Sequence, residues 1–335
     1  MKGRNSATPI ARLAERERWK AGEIVFWLAV ASAWFVFPQN LVLATQVLIA
    51  GLFALSLDLI LGYAGIVTLG HAAFFGLGAY TAGLLAKYGW GEPFSGLLCA
   101  AVVAAAVGWL TSLLVLRGSD LARLMITLGI ASLLYEIANR ATSITGGVDG
   151  MQGVEMGKLF GVFGFDMYGR VGFVYTFVVV VALFVVARSW INSPYGLSLR
   201  TIRESATRAR AIGVPLDRRL VTAYAVSAAI AGVAGALLTQ TTQFVGLDVL
   251  SFQRSANLLI MLIVGGTATL YGGFVGAALF ILVQDRLASI NPVYWLFWLG
   301  VLLILTTLFL RRGVVGGLLA WRQRRRGIEP DEGTA

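Results

Sequence analysis

The chain has 335 residues, of which 58% are apolar and only 13% charged, against ~45–50% and ~25% in a typical soluble domain. Its net charge is +10, but the basic residues lie between apolar runs rather than in one patch, which is the layout of a multi-span membrane protein. These figures exclude a disordered chain, a nucleic-acid-binding domain and most soluble enzymes. A single cysteine, Cys99, rules out an intramolecular disulfide, and a single histidine, His71, leaves a His/Cys zinc site short of ligands.

Uncharged gaps set the architecture. Glu23 to Asp58 encloses 34 uncharged residues, Asp58 to Lys87 28, Glu92 to Arg117 24 and Arg170 to Arg188 17. Further on, Arg219 to Asp248 encloses 28, Arg254 to Asp285 30 and Arg286 to Arg311 24. A crossing of the ~30 Å hydrocarbon core takes roughly 20 apolar residues, so the longest gaps hold two spans or a span and a broken helix. Ten spans are predicted, at 24–40, 41–61, 66–86, 94–116, 121–138, 171–188, 220–240, 255–271, 273–290 and 293–310. The fifth has only 12 uncharged residues between Arg123 and Glu136, so Arg123 must snorkel and Glu136 must face protein or water.

With the N-terminus inside and the spans alternating, 21 of the 27 Lys and Arg fall on the inner side, and both termini are predicted to be cytoplasmic. The first 23 residues are too long and too charged for a signal-peptide n-region, and no A-x-A pattern follows the first apolar run, which predicts an uncleaved anchor. Residues 1–23 then form a basic cytoplasmic segment, 24–310 the transmembrane domain and 311–335 a basic cytoplasmic tail. Two loops are large: 139–170, glycine-rich and outside, and 189–219, basic, helical and inside.

No phosphate-binding loop is present: Gly157-Lys158 is followed by Leu159, with no Ser or Thr for magnesium. Gly76-Leu77-Gly78 begins like a dinucleotide fingerprint, but Thr81 stands at the third glycine and no strand precedes it. Small residues recur at four-residue spacing in Ala72/Gly76, Ala228/Gly232, Ala231/Gly235 and Gly272/Gly276, which reads as tight helix packing, with helix breaks as the alternative. Asp58 and His71 stand out as ionisable groups in apolar surroundings, either as functional groups or as structural hydrogen-bond partners. Gln46, Asn139, Gln240, Gln243 and Asn257 face a pathway or bond across helices. In the inner loop, Leu199, Ile202, Ala206, Ala209 and Ile212 recur at three- and four-residue spacing between arginines, and Gly213 and Pro215 end the pattern. Such a helix lies on anionic lipid or docks a cytoplasmic partner.

The run LGYAGIVTLGHAAFFGLGAYTAG, Leu61 to Gly83, resembles the permease family of branched-chain amino acid ABC importers, and within it the LivM-type subunit. Thr145-Gly146-Gly147-Val148-Asp149-Gly150 is similar to that family's outside loop, Gly196 to Gly213 to its ATPase-coupling segment, and Gly265-Gly266 through Gly276-Ala277 to its late glycine block. The chain departs from the pattern at Ala268 and Gly273, where the family has Gly and Pro. It also departs at Thr207 and Arg208, so that only Ala209 and Gly213 remain of the EAA-x3-G signature. The resemblance implies an all-α permease of a binding-protein-dependent importer in the bacterial cytoplasmic membrane. A second homologous permease, two cytoplasmic ATP-binding cassette subunits carrying ATP and Mg, and an external solute-binding protein would be its partners, with no cofactor or catalysis in this chain. Asp58, His71, Phe74 and Asn257 are the substrate-path candidates, and the resemblance implies a binding-protein-side loop at Thr145, Gly146, Gly147, Asp149 and Gly150 and a coupling helix carrying Arg200, Arg203, Glu204, Ala206, Ala209, Ile212 and Gly213. The rivals are a urea or short-amide permease of the same family, a proton-coupled transporter using Asp58, His71 and Glu136, and an integral-membrane enzyme, which one His and one Cys serve poorly.

Overall fold

The computed structural model describes residues 21–159, 161, 163–166, 168–292, 294, 297, 298, 300, 301, 304 and 313–317. Most of the predicted span 293–310, the first 20 residues and most of the tail therefore lie outside the described residues. The described chain is helical: α1 (Ala21–Val36), α2 (Leu41–Asp58), α3 (Ala72–Lys87), α4 (Pro93–Val115), α5 (Asp120–Arg140), α6 (Thr142–Thr145), α7 (Arg170–Asn192), α8 (Pro194–Glu204), α9 (Ala206–Ala211), α10 (Leu216–Thr242), α11 (Phe252–Gly265) and α12 (Gly272–Ile290). A π-helical turn, Leu59–Tyr63, extends α2.

Among the described residues six helices are long and apolar enough to cross a bilayer: Leu41–Tyr63, Pro93–Val115, Asp120–Arg140, Arg170–Asn192, Leu216–Thr242 and Gly272–Ile290. Among the described residues the expected count of ten is thus not reached. α1 and α3 have 16 residues and α11 has 14, or about 21–24 Å at 1.5 Å per residue, short of a full crossing. The predicted span 66–86 fails because 65–70 is not helical, with Gly65 at φ 75°; the predicted span 255–271 ends at Gly266, φ 112°. An uncharged run reports apolarity, and a backbone break inside it leaves that apolarity unchanged. The fifth predicted span does form, as α5. Arg123 bonds Asp120 at 3.0 Å, and Glu136 is half-exposed with Arg140 at 2.6 Å, one turn away, so each charge carries its counter-charge.

The two short helices α3 and α11 are half-helices. After α2 the chain turns back into the bundle over 64–71, far enough for His71 Nε2 to reach Ser56 Oγ at 2.9 Å, and α3 then runs toward the glycine-rich loop. After α10 the chain turns at Gln243, φ 53°, re-enters from the loop end over 244–251, and α11 runs the opposite way to bring Ala268 beside Asp58. The half-helix starts meet in the interior, where the Ala72 amide donates to Ser255 Oγ at 2.9 Å. This antiparallel meeting of two broken helices is an inverted arrangement of the kind transporters use.

α10 is the centre, packed mainly on α4 and α3. The small-residue pattern explains how closely. A Cβ on Gly78 would collide with Gly232 O, one on Gly235 with Phe75 O, and one on Gly232 with the Ala104 methyl. On the other side α11 and α12 meet through Gly265, Gly272 and Gly276, each facing backbone. With little hydrophobic drive between helices in lipid, such approach supplies the packing. α1 is held to α7 by a buried ion pair, Glu23–Arg188 at 2.9 Å, and by Trp27 among Phe177, Phe184 and Phe274.

Candidate functional site

A cavity of about 380 Å³ opens between α2, α11 and α12, in the half of the bundle nearer the glycine-rich loop. Phe53, Leu258, Met261 and Phe280 form apolar wall, and Gln46, Arg254, Asn257, Gln284 and Asp285 bring polar groups to it. Arg254 leaves the first turn of α11. Its Nη2 bonds Asp248 Oδ2 at 2.6 Å and its guanidinium lies 5.6 Å from the centroid of the Phe75 ring, which fixes its plane. Asn257, one turn on, accepts from Gln253 Nε2 at 2.9 Å.

Of the four path candidates read from sequence, only Asn257 lines this cavity. Asp58 is 1% exposed and its Oδ1 accepts the Ala268 amide at 2.6 Å. His71 is equally buried, bonded to Ser56, stacked on Phe53 and edge-on to Phe74. Phe74 meets Tyr224 edge to face. Arg254, Gln284 and Asp285 went unremarked in the sequence. A signal existed: Asp285 falls inside the predicted span 273–290, and a charge at that depth must face protein or water.

At the opposite end, α8 sits on the π-turn of α2. Arg203 Nη1 donates to Gly62 O, and the Arg200 guanidinium lies 5.2 Å from the Tyr63 ring centroid. Tyr63 OH donates to Ala268 O at 3.2 Å, so α8, the π-turn, Asp58 and the 266–271 turn form one connected set. Burial pushes the Tyr195 hydroxyl above its ordinary pKa; it stays protonated and donates to Arg219 O at 2.6 Å.

The inner segment differs from the single amphipathic helix expected. It is two helices, broken at Ser205, whose hydroxyl caps α9 by accepting from Arg208 N. Leu199, Ile202 and Ala209 face this chain's own core, whereas Glu204, Ala206, Gly213 and Ile212, 72% exposed, face outward. An apolar stripe states that a face is buried and leaves its partner open; here the partner for most of the stripe is the chain itself.

The glycine-rich loop is built around Thr145, whose Oγ1 donates to Ala138 O at 2.6 Å and accepts from Gly147 N at 3.3 Å. Gly146, Gly147 and Gly150 take φ of 79°, 58° and 75°. A side chain on Gly146 would strike Gly150 O, and one on Gly150 would strike Phe244. Met151 N bonds Val245 O at 2.7 Å, fastening the loop to the re-entrant segment. Val148 and Asp149 are left exposed at its tip.

Helices of this length and apolarity belong in a bilayer, and half-helices meeting at their starts interrupt such spans where something is carried across. The protein is a multi-pass membrane transport component. It belongs to the family of branched-chain amino acid transport system permease components, whose model matches residues 40–307. It is 31% identical over 315 residues to the high-affinity branched-chain amino acid transport permease LivM of Salmonella typhimurium, covering 86% of this chain and 73% of that protein. Likeness to the LivM of Escherichia coli K12 is the same, 31% over 319 residues, 87% of this chain and 74% of that one. A probable branched-chain amino acid permease LivH of Methanocaldococcus jannaschii is 27% identical over 237 residues, covering 67% and 72%. No solved structure matches the chain.

Proposed function

We propose that this chain is one permease subunit of an ATP-driven, binding-protein-dependent importer that carries branched-chain or other neutral amino acids across the bacterial cytoplasmic membrane. The observation that carries the reading is the likeness, over 86% of the chain, to a permease named for high-affinity branched-chain amino acid transport. The chain works beside a second, homologous permease. Two cytoplasmic ATP-binding cassette subunits hold ATP and Mg, and an external binding protein delivers the solute to the loop at Thr145–Gly150. Both termini, residues 1–23 and 311–335, and the 189–219 loop are cytoplasmic; the 139–170 loop is external.

The geometry supports a mechanical role for the inner segment. ATPase movement pushes on the exposed side of α8–α9. Arg203 and Arg200 pass the displacement to Gly62 and Tyr63, and Asp58 with Tyr63 passes it to the turn at Ala268 between α11 and α12. Those two helices wall the cavity, so access switches where the solute passes. The test is uptake by proteoliposomes holding the chain co-expressed with its permease, ATPase and binding-protein partners. Leucine uptake should require ATP and the binding protein and persist with a protonophore. Uptake that continues without ATP and collapses with the protonophore would establish the proton-coupled reading, and urea uptake in preference to leucine the amide one.

A further inference from the structure

The cavity holds a charge arrangement that neither packing nor the coupling route uses. Arg254 and Asp285 both line it, on adjacent antiparallel helices. Arg254 offers more donors than Asp248 takes up: a guanidinium has five N–H groups, and the pair with Asp248 is an Nη2 contact. Among the described residues Asp285 forms no ion pair. Asp285 is exposed, five residues before the end of α12 at Ile290; a carboxylate there is costly against lipid and tolerated against a wet cavity. The remaining wall is aliphatic and aromatic, from Ile49, Phe53, Leu258, Met261, Phe280 and Ile281.

We infer that this cavity is a transient binding site for one zwitterionic α-amino acid, with the carboxylate on Arg254, the ammonium on Asp285 and the side chain against the apolar wall. The inference rests on the importer reading above and deepens it by separating amino acids from uncharged amides. At about 380 Å³ the space lies at the small end of ligand sites, ~300–1,000 Å³, and is large enough for a single amino acid. Opposite charges set apart in one cavity attract a zwitterion at both ends, whereas uncharged urea gains no charge–charge attraction from either. Phe75 and Asp248 hold the guanidinium in place before the ligand arrives, which lowers the ordering cost. Asn257 and Gln46 add neutral hydrogen-bonding groups to the rim.

The inference is tested by thiol protection. Cys99 is replaced by Ala, because it is an exposed free thiol, and Ala288→Cys adds a thiol to the cavity wall. Maleimide labelling of the reconstituted complex is timed with and without millimolar leucine, leucinamide, which lacks the carboxylate, and 4-methylpentanoate, which lacks the ammonium. Leucine should slow labelling about tenfold and each analogue should not, since each loses one charge-assisted contact. Asp285→Asn and Arg254→Gln should abolish protection and cut uptake about tenfold while binding-protein-stimulated ATP hydrolysis continues. The analogue comparison uses the intact cavity, so misfolding of the Arg254 variant does not blunt it. Labelling unchanged by leucine in a complex that transports leucine overturns the inference alone, as does equal protection by all three compounds. So does a thiol at position 288 that never labels, which would mean that the second subunit fills the space. A complex that carries no leucine at all overturns the importer reading beneath it.

Discussion

Asp58 offers the sharpest separation of structural from pathway roles. Its Oδ1 accepts the Ala268 amide at 2.6 Å, and any side chain on Gly62 would collide with both groups. The 266–271 turn held this way is not relaxed: Ala268 and Leu270 sit at φ 60° and 44°, where a residue with a Cβ is disfavoured, by ~1–3 kcal/mol each. The family's glycine at position 268 is explained by the same angle. In Asp58→Ala the buried amide loses its partner, worth about 2 kcal/mol, and the turn is then free to open. That free energy corresponds to ~30-fold faster hydrogen exchange of the Ala268 amide, at a tenfold change per 1.36 kcal/mol. Asp58→Asn keeps a neutral acceptor and should lose about half as much. Hydrogen exchange read by mass spectrometry over 266–271, alongside leucine uptake, checks both. Uptake should fall in step with exchange, because the turn carries motion from α8. The reasoning fails if Asp58→Ala leaves exchange unchanged. It also fails if Asp58→Asn abolishes uptake with exchange and melting unaltered, for then the carboxylate acts on solute or protons.

Ile212→Glu removes an exposed apolar anchor and should weaken ATPase retention about 30-fold with the permease intact, whereas Ala209→Glu forces a carboxylate into a fully buried position and should prevent accumulation of the folded chain; co-purification of the ATPase and membrane yield separate the two. Normal ATPase stimulation in Ile212→Glu would remove α9 from the docking surface. His71→Gln retains a hydrogen-bonding group toward Ser56 Oγ and should keep uptake within about twofold, while His71→Ala leaves a cavity costing roughly 2–3 kcal/mol; a stable His71→Gln complex without uptake would contradict this. In a Cys99→Ala background an impermeant maleimide should label Ser143→Cys from outside and spare Thr207→Cys, both positions being exposed, and the reverse would invert the topology.

The sequence by itself showed the apolar runs of α2, α4, α5, α7, α10 and α12, long enough to cross a bilayer, among the ten it predicted, because transfer of an apolar run into lipid is local and nearly additive along the chain. It also carried the small-residue spacing of α10, read as close packing with helix breaks as the alternative, and the structure shows the packing, with Gly232 and Gly235 against neighbouring helices. The family block Leu61–Gly83 located the broken segment without revealing the break. Whether 66–86 crosses in one piece depends on Ala72 finding Ser255 and His71 finding Ser56, contacts between residues 183 and 15 positions apart. The same limit applies to the inner stripe: Leu199, Ile202 and Ala209 are apolar at helical spacing whether they meet an ATPase or this chain's own core. Only the tertiary structure decided between them. It alone brought Arg254 and Asp285 to one cavity, because α11 and α12 fold back on each other through Gly265, Gly272 and Gly276, and that hairpin converts a long separation along the chain into a shared wall.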